Sequence, residues 1–414
     1  MSNVTREGVS TETAENPWLL LVGMWTLGVS VTAFQIVPAG ILPLIMDDLT
    51  IGPVAAGGLV SASLAAQALG NVPVGVVIDR TSNRLMLTIA AVGMVLAGVG
   101  AWQAALSGSY WPLVGAIVVG GVGIAAIITG GANLIGAAFD VERRATAVAA
   151  FTTCAPAGYA IGQFLGPVVA DGYGWGANFL LFGGLAGVAF VGLAVIMTRV
   201  DAEPETGAQP SVSDFKRLFT NSSIWLVCLL SFLAYSLYLL FNSWMPTYIS
   251  QQFGFSMAKS GLYAALFPAV GILARAGGGV ISDRLFDRRR RPVSLMTFAV
   301  TVPLVVLVAA MRVPLFLVVL LLPAGFFVQL GIGLFYTYAR EVVDEGVTGT
   351  ALAMLGLISF AGAFTAPVVA GTLIQRTGGY LPAFAYAGAL AVVGVVVTYF
   401  APEPTTGGEA NPDV

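Results

Sequence analysis

Gly75-Val76-Val77-Ile78-Asp79-Arg80, with Arg84 four residues further on, recurs as Gly279-Val280-Ile281-Ser282-Asp283-Arg284, with Arg288 in the matching place. The copies lie 204 positions apart (283 minus 79) in a chain of 414 residues, so the sequence repeats at half its length. Each copy follows a long apolar run. Crossing the hydrocarbon of a bilayer takes about 20 such residues, and twelve runs of that kind can be traced. The first six fall near 17–46, 54–78, 85–106, 110–139, 145–170 and 175–198. The second six fall near 223–250, 258–282, 292–311, 313–339, 349–375 and 379–400.

Composition agrees. The chain is 57% hydrophobic and 9% charged, against about a quarter charged in an ordinary soluble domain. No water-soluble fold hides so much apolar surface, whereas lipid tails accept it freely. The expected fold is therefore an all-α membrane protein of 12 transmembrane helices in two six-helix bundles related by a pseudo-two-fold axis. The bundles are expected at 17–198 and 223–400, with a polar linker at 199–222 and tails at 1–16 and 401–414. The opening residues lack the charged start, short apolar core and cleavage site of a secretory signal, so the first run reads as a retained helix.

Basic residues set the orientation, because positively charged loops stay in the cytoplasm. Of the 18 lysines and arginines, Lys259, Arg312 and Arg376 fall on one side and Arg275 lies inside a helix. The rest share the other side, which places the linker and both termini in the cytosol, with the plasma membrane as the expected location. There is no histidine, and Cys154 and Cys228 both sit in apolar runs. That leaves no expected metal site, cofactor or disulfide framework and removes the usual general base. An enzyme is not expected, nor a nucleic-acid partner. A receptor would need an output domain larger than this linker.

The repeated loops resemble the signature of the major facilitator superfamily, G-x-x-x-D-R-x-x-x-R, which Gly75, Asp79, Arg80 and Arg84 match throughout and Gly279, Asp283, Arg284 and Arg288 repeat. In the fifth run Gly158, Gly162, Gly166 and Pro167 are similar to the G-x-x-x-G-P pattern of its antiporter-type members, and Gly362, Ala366 and Pro367 partly echo it in the eleventh. The resemblance, spanning about residues 17 to 400, implies a carrier that works by alternating access around a midplane site between the halves. It implies cytosolic gates at the two loops and packing or hinge roles for the glycines and prolines. A functional monomer is expected. A weak ion pair across the boundary between the halves suits a gate that must open. The run Arg288 to Arg291 reads chiefly as an anchor of topology.

One ionisable residue lies well inside a predicted helix: Arg275, in the eighth. Eight residues before Asp283, it stands about 12 Å from the loop at 1.5 Å per residue. Charge at that depth marks function by default. At about 100° per residue, Ala264, Pro268, Gly271, Gly278 and Ser282 share its side of the helix, while Leu262, Leu266, Leu273 and Val280 lie nearly opposite. The leucine side wants lipid, so Arg275 points inward; the competing reading is an arginine snorkelling to the headgroups.

With no acid at membrane depth, the substrate itself is the simplest counter-ion, which points to a small anion able to accept two parallel hydrogen bonds. The stretch from Leu273 to Arg284 looks like the eighth helix of nitrate/nitrite porters, and oxalate/formate and monocarboxylate carriers also place an arginine there. Nitrate porters carry a second arginine at the matching place in the second helix. Here that residue is Asn71, so one cation remains, better suited to a monocarboxylate or another small monoanion. Ser231, Tyr235, Tyr238 and Asn242 form a polar stripe on the seventh helix, and Gln35, Asn133, Gln163, Gln329 and Tyr336 are further lining candidates. The rival transporter is an exporter of hydrophobic or neutral compounds in which Arg275 is structural.

Overall fold

A computed structural model describes residues 17–198, 219–344 and 347–403, except for the side chains at 72, 75, 76, 78–80, 141 and 145. The linker core, the N-terminal tail and the C-terminal tail beyond residue 403 lie outside the described residues.

The first half holds α1 (Pro17–Gly40), α2 (Leu42–Leu49), α3 (Pro53–Arg80), α4 (Asn83–Leu106), α5 (Tyr110–Ala138), α6 (Val141–Thr152), α7 (Cys154–Tyr173) and α8 (Ala177–Met197). The second holds α9 (Ser222–Phe253), α10 (Met257–Ala269), α11 (Gly271–Leu285), α12 (Arg290–Ala310), α13 (Pro314–Glu341), α14 (Thr348–Thr377) and α15 (Leu381–Phe400). Eleven of these passes are long and apolar enough to cross a membrane, counting α10 and α11 as one. The interrupted pair α6–α7 supplies the twelfth. The twelve passes follow the apolar runs, with ends moved by a few residues.

Local chemistry fixes several ends. Ser82 caps α4 by accepting from the Leu85 N–H, and Asn221 caps α9 by accepting from the N–H groups of Ser223 and Ile224, the donors a helix start leaves unpaired. Gly254 ends α9 at φ 66°, a conformation glycine adopts without penalty.

Within the first bundle α1 lies against α7 and α8, and α5 against α3 and α4; within the second α9 packs on α14, α13 and α15. The bundles meet chiefly where α3 touches α14 and α7 touches α10, with a lighter contact between α1 and α9. Leu85, Ile89, Val92, Leu96 and Val99 make an exposed apolar stripe along α4, and Val188, Val191 and Val195 make another along α8. Such stripes suit contact with lipid.

Two passes are broken. The seam at Thr153 divides α6 from α7, and the Trp25 indole N–H donates to the Thr153 hydroxyl there at 2.9 Å. The seam at Val270 divides α10 from α11, just after Pro268. It frees the Phe267 carbonyl, and the Gln329 amide of α13 donates to it at 2.9 Å. α10 then packs on α7 of the opposite bundle, while α11 packs on α13 of its own.

Candidate functional site

Arg275 lies on α11 one turn beyond the Val270 seam. Ala264, Pro268, Gly271, Gly278 and Ser282, expected on its side, are all buried, whereas Leu262, Leu273 and Val280 are exposed and Leu266 is half-buried. The guanidinium therefore turns into the protein. Its Cζ stands 4.9 Å from the centroid of the Tyr238 ring on α9, within the range of a cation–π contact. Its Nε is buried with no hydrogen-bond partner. No carboxylate among the described residues pairs with Arg275. Gly333 of α13 faces the Arg275 backbone so closely that any Cβ there would collide with it, which explains how α11 is held.

A shell of tyrosines surrounds this charge. Tyr159 of α7 stacks on Tyr238 with ring centroids 5.5 Å apart and planes 10° apart. The charge of Arg275 also reaches Tyr336, which stands beside Tyr235. Tyr336 is 36% exposed. Tyr235 is half-buried against Phe360, centroids 5.9 Å apart.

The remaining sequence candidates divide. Gln35 is engaged at both ends: its Oε1 accepts from the Tyr159 hydroxyl at 3.0 Å, and its Nε2 donates to Gln67 at 2.8 Å. Asn242 is held by α7, since the Gln163 amide donates to its backbone and side-chain oxygens at 3.0 and 2.9 Å. Gln329 serves the Val270 seam and does not face Arg275 with a free donor. Ser231 turns toward α14, its hydroxyl 2.5 Å from that of Ser359. Asn71 is half-buried on α3 and Asn133 exposed on α5. Sequence reasoning missed Tyr159, Ser63 and Gln67. The available signal was the four-residue spacing Ser63, Gln67, Asn71 on one face of α3.

At the ends that carry the repeated loops, the side chains of Gly75, Asp79 and Arg80 lie outside the described residues. Arg84 donates to the Met197 carbonyl at the end of α8. In the second copy Asp283 does not reach across the bundle boundary; it pairs with Arg290 of its own bundle at 2.6 Å. Arg290 is 4% exposed and also makes two hydrogen bonds to Glu341, at 2.6 and 2.7 Å, and one to Ser282 at 2.8 Å. One member of the run read as a topology anchor is thus a buried side chain at the centre of an ion-pair cluster. Arg284 and Arg288 are exposed, and Gly279 has open space around it.

Of the packing residues, Gly158 and Gly162 press directly on α1, against Val29, Thr32, Ala33 and Ile36. Gly166 has looser neighbours, the nearest at 3.6 Å. Pro167 meets Gly261 of α10, and the Pro367 carbonyl accepts from the Trp244 indole at 3.0 Å. The inter-bundle hydrogen bonds the structure describes, Gln163 to Asn242 and the Val54 N–H to Gln375 at 3.1 Å, lie on the far side from the basic loops.

Twelve passes in two repeated bundles, with an arginine turned inward at the aromatic contact between them, mark a membrane transporter. The chain belongs to the Major Facilitator Superfamily, whose model matches residues 24–363. It is 24% identical over 375 residues to the hexuronate transporter of Bacillus subtilis (strain 168), covering 84% of this chain and 86% of that one. It is 26% identical over 242 residues to the probable nitrate/nitrite transporter NarK2 of Mycobacterium tuberculosis (strain ATCC 25618 / H37Rv), covering 58% and 60%. Among solved structures, an inward-facing, occupied bacterial homolog of the human lysosomal transporter Spinster superposes with a TM-score of 0.74 at 15% identity, covering 92% of this chain and 96% of that one.

Proposed function

We propose that this chain carries a small anion, a monocarboxylate or an inorganic oxyanion, across the plasma membrane by alternating access, with Arg275 as its electrostatic anchor. The observation that carries the reading is the inward-turned guanidinium whose Nε is buried without a partner. A cation at membrane depth without a counter-charge is costly, and a bound anion relieves that cost. Tyr238 and Tyr336 add hydroxyls beside it, and Asn71 stands at the matching place on α3. Relatives that handle hexuronate and nitrate or nitrite support an anionic cargo. The basic ends of the bundles face the cytosol on this reading, with the Asp79 and Asp283 loops as gates.

The test is uptake of radiolabelled monocarboxylates and nitrate into proteoliposomes. Hydrogen bonds to a charged group contribute about 1.5–3 kcal/mol, so Arg275→Ala is expected to lower uptake efficiency about 10- to 100-fold. Unchanged anion uptake would leave an exporter of neutral compounds with Arg275 structural.

A further inference from the structure

A directed chain of hydrogen bonds runs through the first bundle from Tyr159, beside the Arg275–Tyr238 contact, to α3. The Tyr159 hydroxyl donates to Gln35 Oε1, which turns the Gln35 amide nitrogen toward Gln67. That nitrogen donates to Gln67 Oε1 at 2.8 Å and, more weakly, to the Ser63 hydroxyl at 3.4 Å. With its oxygen taken, Gln67, a residue only 6% exposed, is left presenting its NH2, to which no acceptor is given among the described residues. The relay begins at Tyr159, whose ring stacks on the Tyr238 ring that carries Arg275. Asn71, one helical turn beyond Gln67 on α3, extends the same face.

We propose that Gln67 is a specificity-determining donor for a second acceptor group on the anion, oriented by Gln35 and Tyr159, and that the cargo is accordingly a hydroxylated carboxylate. This rests on the Arg275 reading above. Arg275 takes the carboxylate from the second bundle, and Gln67 takes a hydroxyl oxygen from the first. A plain alkyl carboxylate would press a methylene against the amide and strand its N–H groups, which is how a site built for a hydroxyl rejects the analogue that lacks it. A bare inorganic oxyanion has no separate neutral end to offer. Gln35 and Tyr159 act through Gln67 and are positioning residues.

The experiment compares uptake of propionate, lactate and glycerate, three-carbon acids with no, one and two hydroxyls, and of hexanoate and gluconate, in proteoliposomes. Wild type is expected to favour the hydroxylated member of each size-matched set about tenfold or more. Gln67→Leu should collapse that ratio. Gln67→Met, which keeps the side-chain length and adds no charge while removing the donor, should collapse it too and guards against a misfolded leucine variant. Tyr159→Phe should weaken the ratio in part, with the change carried by KM for the hydroxylated acids. A wild type without preference, or a ratio that survives in both Gln67 variants while uptake still depends on Arg275, overturns the assignment of Gln67 alone. Uptake indifferent to Arg275→Ala overturns the anion reading and this inference with it.

Discussion

Gln163 on α7 donates its amide N–H to the backbone carbonyl of Asn242 on α9 at 3.0 Å, and Pro246, four residues along α9, is why that carbonyl is available. Proline has no N–H to return to it, so an acceptor is exposed on one bundle and satisfied from the other. The same amide reaches the Asn242 side chain at 2.9 Å. Such a bond holds the bundles together on the side away from the basic loops and must part for that side to open.

Gln163→Leu is expected to favour the form open on that side. Spin labels on cysteines placed at Asp171 and Gln252, exposed near the far ends of α7 and α9, should report a longer mean separation than in the parent. Hydrogen bonds between membrane helices average well under 1 kcal/mol and reach about 2, so thermal stability should fall by only a few degrees. An unchanged distance distribution would show that the bond does not restrain the opening.

Arg275→Lys keeps the charge and discards the planar fork. Lysine cannot give two parallel hydrogen bonds to a carboxylate, so KM for the transported anion should rise about tenfold, with the maximal rate less affected. Parallel uptake titrations of the two proteins measure this. An equal KM would mean that the site uses charge alone.

Arg290→Met removes the centre of the Asp283, Glu341 and Ser282 cluster. Both acids remain partly open to water, with side chains 49% and 30% exposed, which limits the cost of stranding them. A loss of about 2 kcal/mol is expected from the hydrogen bonds to charged groups, read as a lower unfolding temperature in detergent. Asp283→Asn should cost clearly less, since the Glu341 bonds survive.

Gly158→Ala and Gly166→Ala form a contrasting pair. A methyl at 158 would lie 2.5 Å from the Val29 carbonyl and closer still to the Thr32 hydroxyl, whereas one at 166 meets its first neighbour at 3.6 Å. The first should reduce the yield of folded protein sharply, and the second should be close to neutral. Size-exclusion profiles after extraction distinguish them.

The architecture was legible because apolar length and the 204-residue repeat report directly on bilayer crossing. The inward face of Arg275 was legible for a similar reason: Leu273 and Val280 on the opposite side belong in lipid and are exposed. The site around it was less so. Tyr238 lies against the charge, but Tyr235 packs on Phe360, and Ser231, on the same stripe, is turned aside by Ser359, a residue 128 positions away. Gln329 looks like a lining residue until the break at Val270 gives it a carbonyl to satisfy. Arg290 is indistinguishable from its neighbours in a basic run, because its burial depends on Glu341, which helix packing alone brings near.

The seam at Val270 makes the pass that bears Arg275 a jointed lever. Its outer arm, α10, is fastened to the opposite bundle, while its inner arm, α11, rides with α13. A pull on the guanidinium would therefore load a joint whose other arm lies against the opposite bundle.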